Sequence, residues 1–399
     1  MKRILILFSD TGGGHRAAAE AIRDALMIKH PNEVSIEMVD VFRAYSPFPF
    51  KYMPEMYPWV VNRSKSGWGV GYNFTNTRSK AKLIQQTMYV SMEKSMLKML
   101  REHPADLIVS VHSLLTRTTM QGLMQFEKRP PFMVVVTDLV STHMFWYDKD
   151  VDRCIVPTQP AFDRGLQSGL TPEQMRITGL PVHPNFAERL MDKADARKEL
   201  GWDLDLPAVL MVGGGEGMGA LYETARAVND MRQKCQLIVI AGRNHALKAK
   251  IEADRWNQPT HVYPFVTNMP VLMAASDILV SKAGPATISE ACIAGLPVIL
   301  YDAIPGQETG NVEFVVEHDA GIYAPSPTEA AEAVAKWLGE GPEGLKRHSD
   351  NARRLGRPNA VWDIADEVWE YAQKPLIPTN RRNIFIDFSK RVPMRSRRF

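Results

Sequence analysis

Short runs such as FMVVV (132–136), apolar at every position, recur between longer amphipathic stretches. A strand that is apolar on both faces must be covered on both, as in a parallel sheet sandwiched between helices. In the first half such strands are predicted at 3–8, 34–39, 107–111, 132–136 and 154–156, with helices at about 14–29, 81–102, 114–127 and 160–168. The stretch ITGLPVHPNF (177–186), with Gly179, Pro181 and Pro184, breaks the alternation and reads as a linker. The second half resumes it. Strands are predicted at 208–212, 237–241, 260–263, 278–281 and 298–300, and helices at about 219–232, 245–254, 268–274, 285–294 and 327–338. A chain of 399 residues is long enough for two domains, each with its own core. The expected fold class is therefore α/β, with two doubly wound domains. Ligands of such sheets bind beyond the carboxyl ends of the strands, so two facing sheets would share one cleft.

Charge narrows the partners. The net charge is +3, but residues 376–399 carry +6 and the remainder −3. A near-neutral body with a basic tail suits an acidic surface better than a nucleic-acid groove. Cys154, Cys235 and Cys292 have neither metal-ligand nor disulfide spacing and read as core residues in a reducing compartment. The amino terminus has no signal-peptide apolar region, and no apolar run approaches the ~20 residues of a membrane span. The expectation is a cytoplasmic protein, soluble or peripherally bound.

Four loops carry chemistry. SDTGGGHRAAAEAI (9–22) follows the first strand. Gly13 and Gly14 suit close backbone approach to a ligand, and His15 then stands at the mouth of a helix, where the positive helix end favours a neutral imidazole able to take a proton. Alternatively His15 is merely a water-exposed residue at a helix start. The same glycines satisfy G-x-G-x-x-A, and Asp40 ends the second strand, so an NAD(P)-dependent dehydrogenase is a competing reading. LMVGGGEGMG (210–219) places Gly213, Gly214 and Gly215 after a strand, as a phosphate cradle requires. In SKAGPATISEA (281–291), Gly284 and Pro285 open a helix. Ala286 follows, Thr287 offers a hydroxyl to the same anion, and Glu290 can grip two vicinal ribose hydroxyls or simply complement the helix dipole. PGQETGN (305–311) supplies Gln307, Glu308 and Asn311, with the donors and acceptors that sugar hydroxyls need.

Residues 44–80 do not fit the alternation. Nine aromatics are interleaved there with Lys51, Arg63, Lys65, Arg78 and Lys80, and prolines at 47, 49, 54 and 58 prevent one long helix. The segment is either an elaborate loop completing the core or a membrane-facing surface carrying Trp59 and Trp68. The acidic triplets DKD (148–150) and DLD (203–205) precede strands and read as solvated turns rather than metal ligands.

SDTGGGHRAAAEAI, GGGEGMG, AGRN, SKAGPATISEA and PGQETGNV, in this order and spacing, resemble the monogalactosyldiacylglycerol synthase family, and more distantly the processive diacylglycerol glucosyltransferases and the peptidoglycan N-acetylglucosaminyltransferase. The likeness runs from Lys2 to about Tyr371. It implies a GT-B fold: an acceptor domain (1–180), a nucleotide-sugar donor domain (181–360), a crossover helix (361–375) and, outside the likeness, a basic tail (376–399). It implies an inverting transfer of galactose from UDP-galactose to 1,2-diacylglycerol. Ala286 stands where the family often has glycine, and PGQE is the form more typical of glucosyl members, so UDP-glucose is the alternative donor. Carried onto this chain, the likeness puts uracil near Phe265 and Val266 and ribose on Glu290. The diphosphate would meet Gly213, Gly214, Gly215, Arg243, Lys282 and the helix start from Gly284 to Thr287, and the hexose would meet Gln307, Glu308 and Asn311. His15 would be the base, oriented by Asp138 or Asp10. Gly13, Gly14, Pro49, Trp59 and Trp68 would face acceptor and membrane. The partners implied are a UDP-sugar, diacylglycerol and anionic membrane lipids, with no nucleic acid, no metal and no cofactor.

Overall fold

The computed structural model describes residues 1–379, except 12, 13, 216, 218 and 219 and the side chains at 58 and 62. Gly13 and all of the tail from 380 onward therefore lie outside the described residues. Two six-stranded sheets, each parallel throughout, organise the chain. The amino-terminal sheet runs in the order Val34–Asp40, Lys2–Phe8, Leu107–Ser110, Phe132–Val135, Arg153–Val156, Met175–Ile177. The carboxy-terminal sheet runs Thr260–Tyr263, Gln236–Ile240, Ala208–Val212, Ile278–Lys282, Val298–Asp302, Gly321–Tyr323. Both are the doubly wound sheets that the apolar runs predict. Two short edge strands, Met175–Ile177 and Gly321–Tyr323, escaped the sequence pattern because three residues are too few to show a period.

In each sheet the strand order reverses direction at one point, and there the loops after two neighbouring strands diverge and leave a crevice. In the first sheet that point lies between Lys2–Phe8 and Leu107–Ser110, and in the second between Ala208–Val212 and Ile278–Lys282. The second crevice is thus bordered by two loops that the sequence marks as chemical, and the first by one such loop and by the unmarked loop after Leu107–Ser110.

Helices cover both faces of each sheet. On one face of the first, Gly14–Lys29 packs beside the chain's last long helix, Ala360–Ala372, whose Val361, Ile364, Ala365 and Val368 share a core with Ile4, Ile6 and Val109. A carboxylate locks that helix down. Glu367, 4% exposed, accepts from Arg153 Nε at 2.7 Å and Nη2 at 3.0 Å and from Arg176 Nη1 at 2.6 Å. The paired guanidinium groups hold its carboxyl below the usual range against the opposing effect of burial. Charges at this depth are tolerated only because they are paired.

Residues 44–80 are neither a loop nor one long helix. They form a short 3-10 turn (Phe50–Tyr52) and two 11-residue helices, Met53–Arg63 and Lys65–Thr75, ahead of the long helix Arg78–Glu102. Pro54 sits in the first turn of Met53–Arg63, where a missing N–H costs nothing. Ser64 separates the pair and caps the second helix by accepting from Gly67 N–H at 3.2 Å. No helix among the described residues is long and apolar enough to cross a membrane.

Candidate active site

His15 is the second residue of the helix Gly14–Lys29, and its ring enters the first crevice. Its Nδ1 lies 2.8 Å from the Val111 carbonyl oxygen and 2.9 Å from Thr137 Oγ1. A carbonyl can only accept, so Nδ1 carries the proton and Nε2 keeps its lone pair. The ring lies against His112 (centroids 4.5 Å apart) and Trp146 (6.0 Å). Burial among them pushes its pKa down to about 4, with the Val111 bond opposing. The imidazole is therefore neutral at pH 7, and burial rather than the helix end is the leading cause.

His112 takes the opposite tautomer. Its Nδ1 accepts from Leu114 N–H at 3.3 Å, so Nε2 carries the proton and donates to Thr11 Oγ1 at 3.0 Å. Burial also holds His112 neutral, and two imidazoles this close could not both ionise without repulsion.

Neither expected carboxylate orients His15. Asp10 is held by Arg16, at 2.7 Å from Nε and 2.6 Å from Nη2, and this pairing lowers its pKa. Asp138 accepts from Trp146 Nε1 at 2.6 Å and from the Gln307 side chain across the cleft. Burial raises it to about 6. It touches the indole that packs beside His15, not the imidazole itself. Asp40 is spent as well: its oxygens accept from Arg43 N–H at 3.1 Å and Asp10 N–H at 3.3 Å. The carboxylate a dinucleotide enzyme would turn toward ribose thus caps a turn instead.

In the second crevice, the loop after Ala208–Val212 folds onto the turn at 241–244. Gly242 has φ +64°, and a Cβ there would lie 2.4 Å from the Gly215 carbonyl oxygen, so both the backbone angle and the space demand glycine. Arg243 N–H donates to that carbonyl at 2.9 Å, and the Arg243 guanidinium lies over the half-exposed Phe265 ring, 4.2 Å from its centroid. Val266 packs partly buried against the second domain's core. Lys282 ends its strand, and the helix Pro285–Ala294 begins three residues beyond. Its cap, Gly284, has no side chain to use up the first-turn amides, and since Pro285 has no N–H, the donors free for an anion there are the Ala286 and Thr287 amides. Glu290 lies one turn further along the same helix, half-buried, and burial raises its carboxyl to about 7.

The hexose trio divides. Gln307 reaches the cleft. Asn311 is 1% exposed, and its amide accepts from Val140 N–H at 3.2 Å and donates to the Ala283 carbonyl at 2.9 Å, so it braces the two domains instead of meeting a sugar. Glu308 is buried as well and folds its own loop by accepting from Ile304 N–H at 2.8 Å. The aromatic pair also divides. Trp59 is 62% exposed, whereas Trp68 turns inward against Tyr57. Gly14 and Pro49 are exposed. The acidic triplets are turns: Asp148 pairs with Arg117 at 2.8 Å, and Asp203 accepts from Asp205 and Leu206 N–H.

Sequence reasoning missed Val111, Thr137, Trp146 and Tyr57. Val111 acts through its backbone, which no side chain announces. VHS after a strand end was the available signal for His112.

The family model for monogalactosyldiacylglycerol (MGDG) synthase matches residues 15–182, and that for the glycosyltransferase family 28 C-terminal domain matches 208–357. Monogalactosyldiacylglycerol synthase 3, chloroplastic, of Arabidopsis thaliana is 40% identical over 401 residues, spanning 98% of this chain and 84% of the relative. A probable monogalactosyldiacylglycerol synthase 2, chloroplastic, of Oryza sativa subsp. japonica is 40% identical over 388 residues, spanning 95% and 82%. Among solved structures, MurG of Acinetobacter baumannii superposes with a TM-score of 0.63 at 13% identity, over 93% of this chain and all of that one. HepE of Anabaena in complex with UDP gives 0.54 at 14% identity, over 93% and 100%. At such identities the structures speak for the fold alone, which is GT-B.

Glu290 yields a direct test. Vicinal hydroxyls donating to its carboxylate favour the ionised form, so a UDP-sugar, whose diphosphate has no ionisation in this range, should bind more tightly as pH rises through about 7 and level off above it. Glu290→Gln should remove that dependence in calorimetric titrations with the UDP-sugar at pH 6 to 8. The same pH dependence in the variant would exclude Glu290 from the nucleotide site.

Proposed function

The chain belongs to the monogalactosyldiacylglycerol synthase family, and from that premise we propose that its cleft moves galactose from UDP-galactose to 1,2-diacylglycerol with His15 as the base. The observation that carries the assignment is the Nδ1 proton of His15 bound to the Val111 carbonyl. It leaves Nε2 basic, neutral and facing the cleft. As the acceptor hydroxyl approaches the anomeric carbon, Nε2 takes its proton. The acceptor oxygen forms the new C–O bond from the face opposite the diphosphate. The bond to the β-phosphate oxygen breaks, and its electron pair leaves with UDP. A single displacement of this kind converts an α-linked donor into a β-linked product.

The departing charge falls to the second crevice. The open first turn at Gly284–Thr287, the backbone at Gly213, Gly214 and Gly215, Arg243 and Lys282 are fixed dipoles and charges aimed where the diphosphate grows more negative. We assign uracil to Phe265 and Val266, ribose to Glu290 and the hexose to Gln307, and assign the reaction no metal. With EDTA present, His15→Ala should lose on the order of 10²–10⁴-fold in kcat while UDP affinity stays unchanged, since base and nucleotide belong to different domains. A variant keeping a tenth of wild-type turnover, or a wild type silenced by EDTA and restored by Mn²⁺, would contradict the assignment.

The acceptor resides in membranes, and the exposed side of the two short helices suits one. Met56, Trp59, Val70 and Phe74 stand exposed there. Arg63 lies over Trp59 at 5.6 Å and Lys80 over Phe74 at 3.4 Å. Rings at headgroup depth beside cations match an anionic interface. Trp59→Ala should lower co-sedimentation with phosphatidylglycerol vesicles even at high salt, because ring burial is not screened. Unchanged binding at high salt would remove Trp59 from the docking face.

A further inference from the structure

Trp68 belongs to the helix Lys65–Thr75 yet does not face outward with Trp59, Val70 and Phe74. Its ring meets Tyr57 edge-on, with centroids 5.3 Å apart and planes at 84°. Its Nε1 is shielded from water and has no acceptor among the described residues. A buried indole N–H without an acceptor is rare, because the donor has lost its water and gained nothing in return. Such a group is explained when the acceptor belongs to a ligand.

Its surroundings say which ligand. The two helices press on the carboxy-terminal domain along a single stretch, 302–307. Lys65 Nζ holds Asp302 at 2.6 and 2.7 Å. Gly69 backs onto Pro305 so closely that a Cβ would lie 2.8 Å from the proline Cβ, and Gly306 meets the Tyr72 ring as closely. Tyr57 O–H donates to Gln307 Oε1 at 3.0 Å. Asp138 settles which end of the Gln307 amide is which: a carboxylate accepts, so the NH₂ group is the end turned to it and Oε1 is left to accept from Tyr57. The orphaned N–H thus sits one residue from the Pro305 contact and beside the tyrosine that orients Gln307.

We propose that Trp68 and Tyr57 form the acceptor-domain wall of the donor-sugar subsite, Trp68 Nε1–H donating to a hexose oxygen while Tyr57 holds Gln307 in its reading orientation. The inference rests on the UDP-galactose reading above. Trp68 is a binding residue and Tyr57 a positioning residue. The Lys65–Asp302 pair clamps the helices in place, so the pocket for the hexose is complete only when the two domains are closed. The helices that carry the exposed aromatic face are then also the ones that finish the sugar site.

The test uses the full chain without acceptor lipid, titrated calorimetrically with UDP and, separately, with UDP-galactose. Tyr57→Phe keeps its ring and removes one hydroxyl, whereas Trp68→Phe keeps an aromatic side chain and removes the N–H together with part of the indole. Both should leave the Kd for UDP within twofold of wild type, which also reports an intact fold, and raise the Kd for UDP-galactose about tenfold. With acceptor vesicles present, the preference in kcat/KM for UDP-galactose over UDP-glucose should narrow by a similar factor. Wild-type affinity for UDP-galactose in both variants would overturn the proposal. Equal losses for UDP and UDP-galactose would overturn it too, by placing these residues at the nucleotide. A wild-type chain that binds UDP but not UDP-galactose would instead sink the donor reading itself, and the proposal with it.

Discussion

A backbone carbonyl accepts hydrogen bonds and cannot donate them. Because Val111 presents one to His15 Nδ1, the imidazole has one available tautomer, and its basic nitrogen faces the cleft. Had a carboxylate been there instead, it would have favoured the imidazolium; a carbonyl with burial keeps the ring neutral. His112, locked in the opposite tautomer by Leu114 N–H and Thr11, adds a neutral neighbour that reinforces this. In the proposed mechanism such a base is ready before any substrate arrives, which is the sense in which an active site is preorganised.

Everything else sets that nitrogen against a nucleotide. Val111 follows the strand Leu107–Ser110, and His15 follows Lys2–Phe8, so the two meet only because those strands are neighbours at the reversal point of the first sheet. The second sheet repeats the device with its glycine loop and the helix Pro285–Ala294. Contacts across the cleft then join the halves: Asn311 to Val140, Ser141 Oγ to Gly310 N–H, and Asp138 to Gln307. Trp146 links the two ends of this arrangement, touching the His15 ring on one side and Asp138 on the other. The helix Ala360–Ala372, fixed by Glu367, crosses back to pack on the first domain and ties the halves together on another side.

What could be read from sequence was what repeats or what local chemistry demands. Apolar strands are legible because a doubly covered sheet allows nothing else, and Gly213, Gly214 and Gly215 because glycines after a strand suit a close backbone approach. His15 was legible from its place after a glycine loop. Its partner was not, since Val111 contributes only a carbonyl and lies 96 residues away. Asp138 and Asn311 were misjudged for one reason: a polar residue near a loop can serve a ligand or brace the protein, and only its bonds tell which. Trp59 and Trp68 are alike in composition, yet helix phase sends one outward and the other in. No count of aromatics separates them.

The central claim is that His15 is a neutral base with its proton on Nδ1, and the ring nitrogens can be observed directly. In protein labelled with ¹⁵N at histidine, with the signals assigned by difference against His15→Asn, the His15 spectrum should show the Nδ1–H tautomer at pH 7. It should stay unprotonated as pH falls to 5, in keeping with a pKa of about 4. An Nε2–H tautomer, or protonation with a midpoint near the ordinary histidine value of about 6.5, would contradict the account.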